Sequence, residues 1–394
     1  MTPAARVQAA IELLDEIIAA AREGGAAADT VVARYFKTRR YAGSKDRRAV
    51  RDLVYRAIRR AGERPESGRA AMLGLAEGDA ELEALFDGSA HGPAAMQASE
   101  PVAPAAAAPL WLRDRFDPLI DEHELAALLG RAPLDVRVNR LKGSVEEALR
   151  ALPDATATPL SPIGLRLPEG TAVEETAAWK AGLVEIQDEG SQLLSLACEA
   201  EPGMTVIDLC AGAGGKTLAL AAEMANRGRI LAADTDRARL SRMAPRLERA
   251  GVTIVEPFLL NPGRESEALA TLRGQADIVL VDAPCSGTGT WRRNPETRWR
   301  LTPDRLERLV KLQAHLIDVA AELVRPGGHL VYAVCSLLAE EGRGQAEAFL
   351  ARRSGFVSQE VGIEGGRSAG AGHLLTPASD GTDGFFVARW QAPC

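Results

Sequence analysis

Five short apolar runs constrain this chain more than anything else in it: TVIDLC (205–210), RILAADT (229–235), VTIVEPFLL (252–260), DIVLVDA (277–283) and HLVYAVCS (329–336). Helical patterns at 217–226, 237–250, 303–323 and 339–352 lie among and after them. Short apolar runs joined through helices predict a parallel sheet covered on both faces. In such sheets a ligand lies in the crevice at the carboxyl ends of the strands. The residues that close each run are therefore the candidates for chemistry.

Two of those closures carry a thiol. Cys285 follows DIVLVDAP and Cys335 follows HLVYAV, each with a serine next to it. A lone free cysteine is usually a small buried hydrophobe. Two at one sheet edge point instead to nucleophilic chemistry on a bound group. The five cysteines (198, 210, 285, 335 and 394) include no C-x-x-C pair. Reduced thiols are expected, with neither a disulfide framework nor a zinc site. The five histidines have no ligand spacing, and no metal is expected.

A third closure is the glycine-rich turn DLCAGAGGKT (208–217), between a strand and a helix. A phosphate-binding G-x-x-x-x-G-K-[ST] loop would need glycine where Cys210 stands. A nicotinamide G-x-G-x-x-G loop would need glycine where Thr217 stands. The remaining reading is an S-adenosylmethionine loop, with Asp234 closing the second strand where an acid can accept from ribose hydroxyls.

The 394 residues allow two or three domains, and 46% hydrophobic content supports a sizeable core. No apolar run approaches the roughly 18 residues of a membrane helix. MTPAARVQAAIELLDEII has acids within its apolar stretch and no signal-peptide core, so a cytoplasmic location is expected. Helical patterns cover 5–22, 30–35, 46–60 and 73–86. An Ala/Pro-rich stretch, 87–109, reads as a linker. A small α+β unit is expected at 110–182 and the catalytic domain at 183–394. FVSQEV and GFFVARW near the end suit an antiparallel edge.

Net charge is −7, yet residues 34–64 hold 12 Lys or Arg against 3 Asp or Glu, together with Tyr35, Phe36, Tyr41 and Tyr55. Basic groups neutralise phosphates and aromatics stack on bases. Arg39, Arg40 and Lys45 are thus candidate RNA contacts. The alternative is a solvated helix face over core aromatics.

In this order, QDEGSQL (187–193), the loop at 208–217, DAPCSGTG (282–289), the strand at 328–336 and DGFF (383–386) resemble the Sun-type RNA cytosine-5 methyltransferases. The resemblance covers about 110–394. Residues 1–86 resemble the NusB-like RNA-binding extension of bacterial ribosomal RNA members. It implies a Rossmann-like α/β S-adenosylmethionine-dependent methyltransferase domain, preceded by a small α+β RNA-binding unit and an all-α NusB-like domain. The implied activity is methyl transfer to cytosine carbon 5 in RNA, with 16S ribosomal RNA first and transfer RNA second. A non-catalytic RNA-binding factor on the same fold is the rival. DNA cytosine methyltransferases are disfavoured, since they use one Pro-Cys motif and a distant Glu motif.

By this resemblance Cys335 is the covalent nucleophile, Cys285 assists release of the methylated base, and Asp282 hydrogen-bonds or protonates ring nitrogen 3. Cys210, Ala211, Gly212, Ala213, Gly214, Gly215 and Lys216 would wrap the methionine and ribose parts of the cofactor. Lys216 would close that loop or cap its helix. Asp234 would hold the ribose, and Asp282 would lie near the cofactor amino group. Three positions depart from the family. CAGAGGK replaces CAAPGGK, Asn261 replaces the usual adenine-contacting Asp, and Glu340-Glu341-Gly342 replaces EEN. In WRRNPETRWR (291–300), Arg292, Arg293 and Arg298 with Trp291 and Trp299 suit a phosphate and base platform. The alternative there is a surface loop around packed tryptophans. RNA is the expected partner and a monomer the expected state.

Overall fold

In the computed structural model, which describes residues 1–394, the first helix begins and ends where its caps dictate. Helix α1 (Pro3–Glu23) starts with the Thr2 hydroxyl accepting from the Ala5 amide at 3.2 Å. It stops at Gly24, whose φ of 72° suits glycine. Val7, Ile11, Leu14, Ile17 and Ile18 line its buried face. Helices α2 (Ala28–Thr38), α3 (Ser44–Arg60) and α4 (Gly68–Ala76) close around it. A Cβ at Gly68 would stand 2.1 Å from the Ile11 carbonyl oxygen, so glycine is what lets α4 approach α1. The pattern at 73–86 is broken: α4 ends at Ala76, and one short turn, Ala80–Glu83, follows.

This helical unit comprises Met1–Phe116, Ile120–Arg131 and Thr290–Pro303. Three expectations change here. The stretch at 87–109 is a strap on the helices rather than a free linker. Ala103 donates to the Ala70 carbonyl at 3.0 Å and Ala106 to that of Arg60 at 2.9 Å, and Glu100 pairs with Arg69. The aromatics of the basic segment are mostly core, since Tyr35 and Phe36 are buried and only Tyr41 is well exposed.

The platform proposed at 291–300 is also overturned. Trp291 and Trp299 are 0% and 2% exposed, so neither presents a face to a base. Trp299 Nε1 donates to the Ala61 carbonyl at 2.9 Å, and Trp291 meets Phe116 edge-on. Arg298, 1% exposed, donates to the carbonyls of Pro295 and Ala107. Burial first, then the charge of Arg59, pushes its pKa down to about 10. Arg292 is buried as well. Arg293 alone of the three is partly open.

The second unit comprises Asp117–Leu119, Ala132–Gly289 and Asp304–Cys394. Its smaller sheet is antiparallel, ordered β2-β3-β1-β4, from β1 (Leu134–Val138), β2 (Thr156–Ala157), β3 (Gly164–Leu167) and β4 (Val184–Ile186). Strand β4 lies past the expected boundary at 182. Arg137 and Asn139 are 1% and 2% exposed and bond inward, to Gln187 and to the carbonyls of Gly182 and Ala250. Their bonds are internal to the unit.

The larger sheet contains β5 (Thr205–Asp208), β6 (Arg229–Asp234), β7 (Val255–Leu259), β8 (Ala276–Asp282) and β9 (Val324–Val334), all parallel in the order β9-β8-β5-β6-β7. The inner strands are buried almost throughout, as continuous apolar runs require. Strands β10 (Val357–Gln359), β11 (Arg367–Ser368), β12 (His373–Leu375) and β13 (Phe385–Gln391) follow, and β13 runs antiparallel to β9. The terminal pair β10 and β13 is joined by two strands without a pattern in the sequence. The chain leaves β5 in one direction and returns on its other side at β8. That topological switch point opens the crevice. No helix is long and apolar enough to cross a membrane.

Candidate active site

The glycine-rich turn runs from Asp208 to the helix Gly215–Glu223. Gly212 and Gly214 take φ values of 56° and 84°, which side chains resist. A Cβ at Gly212 or Gly215 would meet nothing within 4 Å, so the turn borders open space. Asp234 pins it: one carboxylate oxygen accepts from the Gly212 amide at 2.8 Å, the other from the Asp236 amide at 2.7 Å. The Ala211 amide donates to the Ala233 carbonyl at 3.0 Å. Arg246 donates to the Ala213 carbonyl at 2.7 Å and to Glu185 on β4 at 3.0 Å. Cys210 is half-buried in the turn, with its thiol pushed well above the ordinary range by burial and then Asp208.

Two carboxylates close the switch point. Asp208 is 1% exposed and accepts from the Thr217 hydroxyl at 2.7 Å, while its other oxygen has no partner. Burial raises its pKa to about 7, outweighing the Thr217 bond. Asp282 pairs with Lys216 Nζ at 2.7 Å. Burial alone would lower the Lys216 pKa, but the charge and hydrogen bond of Asp282 outweigh it and the value lies above the ordinary one. Lys216 sits in the first turn of the helix and grips Asp282.

The two thiols meet beside this pair. Cys285 and Cys335 follow β8 and β9, and their sulfur atoms are 3.3 Å apart. Both are half-buried. The bond to Cys335, then burial, then the charges of Cys335 and Glu341, push the Cys285 thiol well above its ordinary value. Each neighbouring serine is also tied in, with Ser286 and Ser336 hydroxyls 3.1 Å apart.

Residues 195–391 match the family described as 16S rRNA methyltransferase RsmB/F. The chain is 34% identical over 298 residues to a protein named probable ribosomal RNA small subunit methyltransferase B from Synechocystis, covering 71% of this chain and 66% of that one. The chain belongs to the RsmB/F family. The match spans about two thirds of the length of that curated relative. Among solved structures, PH0851 superposes with a TM-score of 0.77 at 25% identity over 99% of both chains. A methyltransferase homologue from Pyrococcus horikoshii gives 0.60 at 28% identity, covering 68% of this chain and 90% of that one.

In this RsmB/F member the turn, Asp234, Asp282 and both thiols come together in one crevice. Asn261 is exposed just past β7, and its carbonyl accepts from the Arg264 amide at 3.0 Å. Arg39 is half-buried against Glu12 and the Tyr35 ring, whereas Arg40 and Lys45 are exposed on the helical unit. Three polar residues had no assigned role in the sequence reading. Asp208 was legible as a strand-end acid. Ser286 and Ser336 were legible only as neighbours of the thiols.

Proposed function

We propose that this chain transfers a methyl group from S-adenosylmethionine to carbon 5 of cytosine in 16S ribosomal RNA, through a covalent bond between Cys335 and the base. The observation that carries the reading is the thiol pair, 3.3 Å apart next to the Lys216–Asp282 ion pair. The cofactor fits the open turn: its glycines leave room, Asp234 suits ribose hydroxyls, and the orphan oxygen of Asp208 suits a donor such as the α-ammonium. When bound, S-adenosylmethionine supplies the methyl group as a sulfonium whose leaving group is a neutral thioether.

The protein's part is to make carbon 5 nucleophilic. Addition of the Cys335 thiolate to carbon 6 forms a C–S bond and turns the ring into an enamine. Addition builds negative charge on nitrogen 3, and Asp282 hydrogen-bonds or protonates that nitrogen with a proton relayed from the Lys216 ammonium, which favours the addition. The sulfur of Cys335 and burial raise the Cys285 thiol well above its ordinary value, which disfavours Cys285 as the attacking thiolate and leaves that step to Cys335. After methyl transfer the proton on carbon 5 must leave before the C–S bond can break, and Cys285 assists that release. The helical unit, read as NusB-like, contributes RNA affinity through Arg40, Lys45 and their neighbours. Bisulfite sequencing of ribosomal and transfer RNA from a deletion strain tests the reading. Loss of one ribosomal 5-methylcytosine is expected. Loss at a transfer RNA site would move the substrate, and no loss at any site would sink the activity.

A further inference from the structure

Glu341 is a carboxylate with 0% exposure, seven residues beyond the end of β9. Burying such a group is strongly unfavourable unless donors surround it. Its donors come from residues that flank the two thiols. Oε1 accepts from the Ser286 amide at 2.8 Å and from Gln313 Nε2 at 2.9 Å. Oε2 accepts from the Ser336 hydroxyl at 2.5 Å. Ser286 directly follows Cys285, and Ser336 directly follows Cys335. Gln313 Nε2 also donates to the carbonyl of Pro284, the residue before Cys285, at 2.9 Å. The Glu341 carbonyl accepts from the Tyr332 hydroxyl at 2.6 Å, which anchors the clamp to β9.

We infer that Glu341 is the positioning residue of the thiol pair, a buried strut that holds the Cys285 and Cys335 loops at their working separation. This rests on the reading of Cys335 as nucleophile and Cys285 as the releasing thiol. Chemistry explains why a carboxylate serves. It only accepts, so the Ser336 hydroxyl must donate to it. Ser336 is then free to accept from the Leu338 amide at 3.1 Å and, with its second lone pair, from the Thr288 hydroxyl at 3.2 Å, while the Ser286 hydroxyl donates to Thr288. Thr288 in turn accepts from the Leu337 amide at 2.8 Å. One acceptor thereby sets the direction of a hydrogen-bond chain that joins both loops. An apolar residue of equal size could fill the space but could not cross-link the loops. Glu341 touches neither sulfur in this chain of bonds; it acts through their neighbours.

Glutamine can replace this strut. Its oxygen would accept from Ser286 and Gln313, and its amide would donate to Ser336, with the hydroxyl chain reversed. Alanine cannot. The full-length protein is incubated with a labelled 16S ribosomal RNA transcript and S-adenosylmethionine, and covalent adduct is followed on denaturing gels in a single turnover. Melting temperature and cofactor affinity are measured beside it. Misplacing reacting groups by about an ångström costs up to about 100-fold. Glu341→Ala should therefore form adduct at least about tenfold more slowly, with cofactor affinity unchanged, while Glu341→Gln stays within about threefold of the parent. If Glu341→Ala does not fold, Ser336→Ala takes its place, with the same tenfold loss expected. Parent rates in folded Glu341→Ala or in Ser336→Ala would overturn the strut. So would equal loss in Glu341→Gln, which would assign the role to charge. Adduct formation by Cys335→Ala would instead overturn the thiol assignment itself.

Discussion

The sulfur atoms of Cys285 and Cys335 lie 3.3 Å apart although fifty residues of chain separate them. The parallel pairing of β8 with β9 creates this contact, with Asp282 opposite Ala333 in register. Both thiols emerge at one edge of one sheet. Their roles can be separated by substitution.

Cys335→Ala should abolish methylation and leave S-adenosylmethionine affinity nearly unchanged. The thiol is needed to attack carbon 6, whereas the cofactor site is built on the glycine-rich turn and Asp234. A purified assay with calorimetry checks both halves. Retained turnover would remove Cys335 from the nucleophile role.

Cys285→Ala should accumulate a covalent protein–RNA adduct. With Cys335 intact, addition and methyl transfer proceed, but the carbon 5 proton leaves slowly and elimination stalls. The double variant should form no adduct. A slow-migrating band in Cys335→Ala and none in Cys285→Ala would reverse the two assignments.

Asp208→Asn should change how stability depends on pH. Burial raises the folded pKa of Asp208 to about 7, far above its ordinary value, so the folded state binds the proton more tightly than the unfolded one. Stability from this group is complete below the unfolded pKa of about 4 and falls as pH rises to about 7. Asparagine keeps the bond from Thr217 and removes the titration. The melting temperature of cofactor-free Asp208→Asn relative to the parent should therefore rise between pH 4 and pH 8. A constant difference across that window would contradict the raised value.

Trp299→Ala should destabilise the helical unit by about 3–5 kcal/mol, the cost of emptying a buried aromatic site. Trp299 packs in the core of α1 to α4 and donates to Ala61. Chemical denaturation followed by circular dichroism measures it. A surface platform would tolerate the change with less than about 0.5 kcal/mol.

Arg40→Glu with Lys45→Glu should leave folding unchanged and weaken RNA binding, with the salt slope shallower by roughly 0.7–0.9 per lost phosphate contact. Both side chains are exposed. Filter binding at several salt concentrations decides it, and an identical slope would make this face merely solvated.

The inner strands were legible because burial on both faces leaves an uninterrupted apolar run, as in β5 and β8. Their closures followed, and with them Asp234, Asp282 and both cysteines. The helical pattern of α1 was legible for a different reason: one periodic apolar face. What the sequence could not separate were features decided by distant partners. WRRNPETRWR has the composition of an RNA platform and of a core insert alike. The carbonyls of Ala61 and Ala107, about 240 and 190 residues away, make it the latter. Strand β4 is three residues long and pairs with β1 across two intervening helices and two strands, so no local period marks it. Glu341 stood beside Glu340 as one of two acids after a strand, and only folding distinguishes the one that is buried.

The placement of Trp299 in the helical core also orders events at the ribosome. Helices α1 to α4 are synthesised first, yet their core is incomplete until residue 299 has been added and has left the exit tunnel. At about 5–20 residues per second, the roughly two hundred residues in between take on the order of 10–40 seconds. During that interval the nascent helices keep an unfilled apolar site where the indole will sit. The amino-terminal unit, although first in the chain, can be finished only after most of the parallel strands have been made.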